Sequence, residues 1–140
     1  MGLDMYLEKH TYIWKHGGRP TLTLDYPGVD PERVTIIQEN VGCWRKANAI
    51  HKWFVDNVQD GVDECQTTSV TKEQLRQLLN IVKQVQADHT LASALLPTES
   101  GFFFGNTEYD EYYFEDLDST YSIIITALSE GGDFFYHSSW

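Results

Sequence analysis

The stretch LDMYL, residues 3–7, alternates apolar and polar side chains. Because successive side chains of a strand point to opposite faces, this alternation predicts a β-strand with one buried face. β-Forming residues resume at 11–14, so the strand either continues there or turns into a hairpin. Further short strands are predicted where β-branched and aromatic residues lie between turn signals, at residues 21–26, 34–38, 65–70, 101–105 and 133–137.

Three segments have the apolar spacing of amphipathic helices. The first, residues 44–58, repeats apolar or aromatic side chains every three or four positions. The second begins after Thr71, where Gln74 completes the signature of a capping box, and the helix restarts at Asp88. The third, residues 110–128, has acidic first turns, which suit the positive end of a helix dipole.

These elements do not alternate regularly between strand and helix, which favours an α+β fold over a doubly wound sheet. We expect a small, mostly antiparallel sheet with about three helices packed on one side. A chain of 140 residues is close to the commonest size of one domain, and no linker or internal repeat interrupts it. Residues 1–140 are therefore expected to form a single compact domain.

Composition indicates where the protein works. The longest unbroken apolar run is Ile123, Ile124 and Ile125, far below the roughly 20 residues of a membrane span. The first residues show no basic region followed by an apolar stretch, so no secretory leader is predicted. Cys43 and Cys65 are too few for a disulfide framework. We therefore expect a cytoplasmic protein that does not use a membrane.

Charge is distributed unevenly along the chain. All ten Lys and Arg residues lie within the first 83 positions, whereas residues 84–140 contain ten acids and no Lys or Arg. The formal net charge is −11. Binding to nucleic acid requires clustered Lys and Arg that replace the phosphate counterions. Direct binding of nucleic acid is therefore not expected.

Four passages are distinctive when they are taken together. They are MGLDMYL at 1–7, WRKANAIHKWF at 44–54, SGFFFGNTEYDEYYFEDL at 100–117 and SSW at 138–140. With them the chain resembles a family of short, uncharacterised proteins found in bacteria and their phages, and the likeness extends from end to end. The resemblance implies a cytoplasmic protein and is compatible with carriage by a phage. It implies no activity, cofactor or catalytic residue.

The first helix and the tyrosine-rich passage after Gly105 suggest a ligand-binding site. In this hypothesis rings stack on a flat base, basic side chains bind phosphate, and polar side chains contact the edge of the ligand. The candidate ligand-binding residues are Trp44, Arg45, Asn48, His51, Lys52, Thr107, Tyr109 and Tyr112. The leading prediction is thus a non-enzymatic binding protein for a small anionic, nucleotide-like ligand. In a phage it would sequester a host signalling molecule as counter-defence.

Other interpretations stay open at this point. The same helix fits a buried aromatic core with solvated bases and a hydrogen-bonded core histidine. The acids at 108–118 suit a solvated helix start, or they belong to an inhibitor that mimics nucleic acid and blocks a basic host groove. A hydrolase would use His51 with a carboxylate of residues 108–118. No catalytic residue, metal ligand or cofactor is predicted, and the sequence leaves the oligomeric state open.

Overall fold

Both ends of the chain supply strands to one antiparallel sheet. The computed structural model describes residues 2–13 and 22–140. Within these ranges the sheet has four strands, β1 (Asp4–Tyr12), β2 (Ile36–Arg45), β3 (Thr68–Val70) and β4 (Asp133–Ser139). Their order is β2-β1-β4-β3, and every neighbouring pair is antiparallel. The strands from the two ends of the chain are therefore neighbours at the centre of the sheet.

The helices lie between β2 and β3 and between β3 and β4. They are α1 (Asn48–Asn57), α2 (Lys72–Ala87), the short α3 (Ala92–Leu95) and α4 (Glu111–Ser129), with 3-10 turns at Pro31–Arg33 and His89–Leu91. The capping box predicted for α2 is confirmed. The Thr71 hydroxyl accepts from the backbone N–H of Gln74, and the Gln74 side chain accepts from that of Thr71. In the described part of the chain, no helix combines the length and apolar character needed to cross a membrane.

One face of the sheet carries the core. Leu7 and Tyr136 point to this face and are fully buried. The ring of Phe54, from α1, stacks on the ring of Tyr136 with 4.0 Å between centroids. Gly42 of β2 lets α4 come close, because a Cβ at this position would lie 2.5 Å from Ile123. The predicted α+β fold, an antiparallel sheet with helices packed on one side, is confirmed.

The first helix begins later than the sequence predicts. Trp44 and Arg45 pair with β1 as the end of β2, and α1 begins only at Asn48. The apolar spacing of residues 44–58 does not reveal this boundary, because Trp44 is buried from a strand as readily as from a helix. The consequence is that Arg45 and Trp44 point to opposite faces of the sheet.

Two predicted strands are not strands in the structure. Residues 101–105 form a turn, in which the N–H of Phe104 donates to the carbonyl of Gly101 at 3.2 Å. Gly105 follows with a φ of 81°, a conformation that glycine adopts without strain. Of the segment 21–26, Thr21 lies outside the described residues, and 22–26 have no regular secondary structure. The glycines at 101 and 105 therefore shape a loop instead of bounding a buried strand.

Candidate functional site

The start of α1 and the passage that leads into α4 face each other across a cavity of about 420 Å³, which we call the α1–α4 cavity. One wall consists of residues 45–50. The opposite wall consists of Thr98 and residues from the passage 105–117. This volume is in the range of small-molecule sites in proteins. The two passages that the sequence singles out therefore meet at one hollow.

Asn48 ties the two walls together. Its side-chain amide donates to the carbonyl groups of Phe104 and Asn106, both at 2.9 Å. Its Oδ1 accepts from the backbone N–H of Glu99 at 3.0 Å. Because backbone groups of the facing loop occupy both ends of this amide, Asn48 fixes the shape of the cavity. Its contribution is to hold the loop at a set distance from α1.

The wall formed by the start of α1 is suited to bind a negatively charged group. No side chain caps the N-terminus of this ten-residue helix, and residues 47–50 line the cavity. Uncapped N–H groups at a helix start carry partial positive charge and are suited to bind an anion. Arg45 and Lys46 precede the helix and are exposed. The guanidinium of Arg45 has only a loose ion pair, 4.0 Å from Asp4.

The opposite wall is acidic. Four carboxylates line the cavity against two basic side chains: Glu108, Asp110, Glu115 and Asp116. One of these acids has a structural task, because the Oδ1 of Asp110 accepts from the N–H of Tyr113 and so caps α4. The cavity thus has an electropositive wall at one helix start and an acidic wall at the other.

Asp116 is the most perturbed of these acids. Its side chain is partly buried and has no hydrogen-bond or ion-pair partner among the residues that the structure describes. Burial, together with the nearby charges of Glu115 and Asp110, raises the pKa of Asp116 from its ordinary 3.8 to about 6. An ionised carboxylate in this setting is stabilised by any N–H donor that a ligand brings to it. Asp116 is therefore the side chain of this wall best suited to bind a donor group.

No family model matches the chain, and neither the curated proteins nor the solved structures gave a significant match. The resemblance to bacterial and phage proteins stays a prediction.

Some of the predicted ligand-binding residues do meet at the cavity. Arg45, Asn48 and Tyr112 line it. Tyr112 is 64% exposed, which leaves its ring free to cover a ligand. Thr107 and Tyr109 belong to the same passage but bind Thr98: the carbonyl of Thr107 accepts from its hydroxyl at 2.9 Å, and the Tyr109 hydroxyl accepts from its N–H at 3.3 Å. These two residues hold the rim of the loop.

The other predicted residues lie elsewhere. Trp44 is buried, and its Nε1–H donates to the hydroxyl of Thr120 at 2.8 Å. Lys52 pairs with Asp56 at 2.7 Å on the outer side of α1. His51 is completely buried. None of the three lines the α1–α4 cavity: Trp44 belongs to β2, and the side chains of His51 and Lys52 project from α1 away from it. The core interpretation of Trp44 and His51 agrees with this placement.

Sequence reasoning missed five charged lining residues, which are Lys46, Glu108, Asp110, Glu115 and Asp116. It assigned the acids to a solvated helix start. A signal was present, since Tyr112 is spaced three and four positions from Glu115 and Asp116, and such residues share one helix face. What the spacing does not tell is that this face is opposed by the start of α1.

A buried polar chain runs behind the cavity from β4 to the loop after α1. The Nδ1 of His51 lies 2.6 Å from the Tyr136 hydroxyl, and its Nε2 lies 2.8 Å from Oδ2 of Asp63. Oδ1 of Asp63 accepts from Nε1–H of Trp140 at 3.0 Å. Burial raises the pKa of Tyr136 well above its ordinary value, so its hydroxyl stays a donor. Every group is satisfied when Tyr136 donates to His51 and His51 donates to Asp63.

A second polar cluster lies on the face of the sheet that points away from the core. The carboxylate of Glu8 is 2.7 Å from His137 and 3.2 Å from His10. Burial raises the pKa of Glu8, whereas the hydrogen bonds with His10 and His137 lower it. The lowering is the larger effect in sum, so the pKa lies below its ordinary value. Among the described residues, no group of three His, Cys, Asp or Glu side chains is arranged to hold a metal ion.

Proposed function

We propose that the protein is a non-enzymatic binding protein that holds a small nucleotide-like molecule in the α1–α4 cavity. One observation carries the proposal: a single hollow has an uncapped helix start on one side and the unpaired, partly buried carboxylate of Asp116 on the other. A ligand with an anionic group at one end and N–H donors at the other complements both walls.

The anionic group of the ligand would bind at the start of α1. The free N–H groups there offer hydrogen bonds, and Arg45 and Lys46 supply positive charge beside them. The four carboxylates of the cavity oppose any further negative charge. The balance favours one phosphate over a di- or triphosphate.

The base of the ligand would bind at the acidic wall. The edge of a guanine-like base presents adjacent N–H donors, which a carboxylate accepts well. Asp116 would accept these donors, and the exposed ring of Tyr112 would stack on the base. The acids of the passage 105–117 therefore fit a nucleotide-like ligand through its base, even though they repel its phosphate.

Two features favour this proposal over the alternatives. His51, the base of the hydrolase alternative, is completely buried and bonded at both ring nitrogens, and its carboxylate partner is Asp63. The inhibitor alternative needs acids on a protruding surface, whereas Glu108, Glu115 and Asp116 line a hollow. In a phage-borne protein, the bound molecule would be a host signalling nucleotide kept out of circulation in the cytoplasm.

The proposal is tested by calorimetric titration with guanosine monophosphate, adenosine monophosphate, guanosine and inorganic phosphate. We expect guanosine monophosphate to bind more tightly than each of the other three. Replacing Asp116 by Asn should weaken its binding about tenfold or more, the cost of one charge-assisted hydrogen bond. Glu111→Gln, an equal charge change on the same helix outside the cavity, is the matched control and should bind as the wild type does.

The proposal fails if none of the four probes binds. It also fails if Asp116→Asn binds guanosine monophosphate as tightly as the wild-type protein.

A further inference from the structure

A second cavity, of about 380 Å³, lies on the other side of the loop that Asn48 holds. Its aromatic lining consists of Phe102, Phe103, Phe104 and Trp140. We call this site the aromatic cage. It is separate from the α1–α4 cavity, and no residue lines both.

The rings of the cage stand as walls at steep angles to one another. Phe102 and Phe103 are 4.7 Å apart at an interplanar angle of 86°, and Phe104 and Trp140 are 6.3 Å apart at 72°. Phe102 is 94% exposed, although apolar side chains of this size are normally buried. The turn at residues 101–105 therefore presents an aromatic ring to the solvent at the mouth of a hollow.

Two carboxylates, Asp63 and Glu99, also line the cage, and no basic side chain does. Asp63 is held in place, because one oxygen accepts from the indole of Trp140 and the other is bound to the buried His51. The charge of Glu99 contributes to raising the pKa of Lys52, whose ammonium is paired with Asp56 at 2.7 Å.

Perpendicular aromatic walls with a fixed carboxylate are suited to an organic cation. The faces of aromatic rings attract cations. Quaternary ammonium groups are the ligands best suited to such walls. A metal ion is a poor match, because the rings offer it no ligand atoms and the described residues include no group of three His, Cys, Asp or Glu side chains arranged to hold one. We propose that the aromatic cage binds the alkylated ammonium group of a small molecule.

The test uses choline as the probe and 3,3-dimethylbutanol, its uncharged analogue of the same shape, as the comparison. Binding is followed by NMR through the indole Nε1–H signal of Trp140, which donates to Asp63. We expect choline to shift this signal with saturation, and the uncharged analogue to bind at least about threefold more weakly, since it lacks the cation–π attraction. Equal binding of the two compounds overturns the proposal.

Variants at the cage separate its parts. Phe102→Leu should weaken choline binding about threefold to fivefold, the effect of one exposed cation–π contact. This substitution leaves the fold intact because the ring is almost fully exposed. Glu99→Gln should also weaken binding, and it leaves the chain from Asp63 to Tyr136 untouched.

Tyr26→Leu is the matched control, since Tyr26 is also an exposed ring but does not line the cage. Its choline affinity should equal that of the wild type. If choline leaves the Trp140 signal unshifted, or if Phe102→Leu binds it as well as Tyr26→Leu does, the cage is not a cation site. The proposed function at the α1–α4 cavity is unaffected by either result, because its test relies on Asp116.

Discussion

Replacing Asp116 by Asn should stabilise the protein at neutral pH. The carboxylate of Asp116 is partly buried, lies near Glu115 and Asp110, and has no hydrogen-bond or ion-pair partner in the described part of the chain. Its ionised form therefore destabilises the folded state, while the unfolded chain exposes the same group to water. An asparagine of the same shape removes the charge and keeps the packing.

The magnitude follows from the pKa of Asp116. The rise from 3.8 to about 6 corresponds to a ceiling of about 3 kcal/mol at neutral pH. Because the side chain is only partly buried, solvent screening reduces the expected gain to about 1–2 kcal/mol. In a domain of this size that gain raises the melting temperature by roughly 3–8 °C.

The pH dependence of the stability difference tests whether the charge of Asp116 causes it. The folded-state pKa of this acid is raised, so the folded state holds the proton more tightly than the unfolded state does. The destabilisation by Asp116 is absent below its ordinary pKa of 3.8 and develops as the pH rises to about 6. The advantage of Asp116→Asn should therefore be small near pH 4, grow through this window and stay constant above it.

Urea denaturation of both proteins across this pH range measures the difference directly, because groups far from Asp116 titrate alike in both. Glu111→Gln, which makes the same charge change at an exposed position of α4, is the control for the change in net charge. A gain that is independent of pH would mean that packing, not charge, is responsible. A loss of stability at neutral pH would refute the reasoning.

Three further predictions concern the framework of the site. Asn48→Ala should lower the free energy of unfolding by about 2–4 kcal/mol, since three backbone groups lose their partner; chemical denaturation measures it, and a change below about 0.5 kcal/mol would contradict the role of Asn48. Gly42→Ala should cost about 1–3 kcal/mol, because the added Cβ would lie 2.5 Å from Ile123. The double variant with Ile123→Ala, which removes the Cγ2 methyl that the added Cβ would meet, should cost less than the sum of the two single variants, and a purely additive result would exclude the clash. Glu8→Gln should destabilise by about 1–2 kcal/mol at neutral pH through weaker bonds to His137. Since the pKa of Glu8 is lowered in the folded state, this difference should shrink as the pH falls below the ordinary value of 4.5 and the carboxylate of the wild-type protein becomes protonated.

Local signals in the sequence were enough for several elements. The capping box at Thr71 and Gln74 depends only on residues three positions apart, and the structure has it as predicted. The long helix predicted at 110–128 corresponds to α4, Glu111–Ser129, whose N-cap is Asp110. In each case the residues that decide the element are neighbours in the chain. The local sequence is therefore enough to predict where these two helices begin.

The site depended on contacts that no local pattern contains. The sequence indicated that residues 44–58 and the tyrosine-rich passage contribute to a ligand-binding site. It also placed Trp44 and His51 among the ligand-binding residues, although neither lines the cavity. Pairing with β1 draws Trp44 into β2 and against Thr120, which is 76 positions away. The partners of His51 are Asp63 and Tyr136, one from a loop and one from the last strand.

The sequence by itself determined the α+β class, the starts of α2 and α4, and the accumulation of acid in the last part of the chain. Only the tertiary structure decided which face of α4 meets the start of α1, and hence that Asp116 lies in a cavity. It also decided that the turn at 101–105 opens an aromatic cage beside Asp63. The physical reason is that helix and turn propensities act over a few residues, whereas a cavity is bounded by segments that only the packed core brings together.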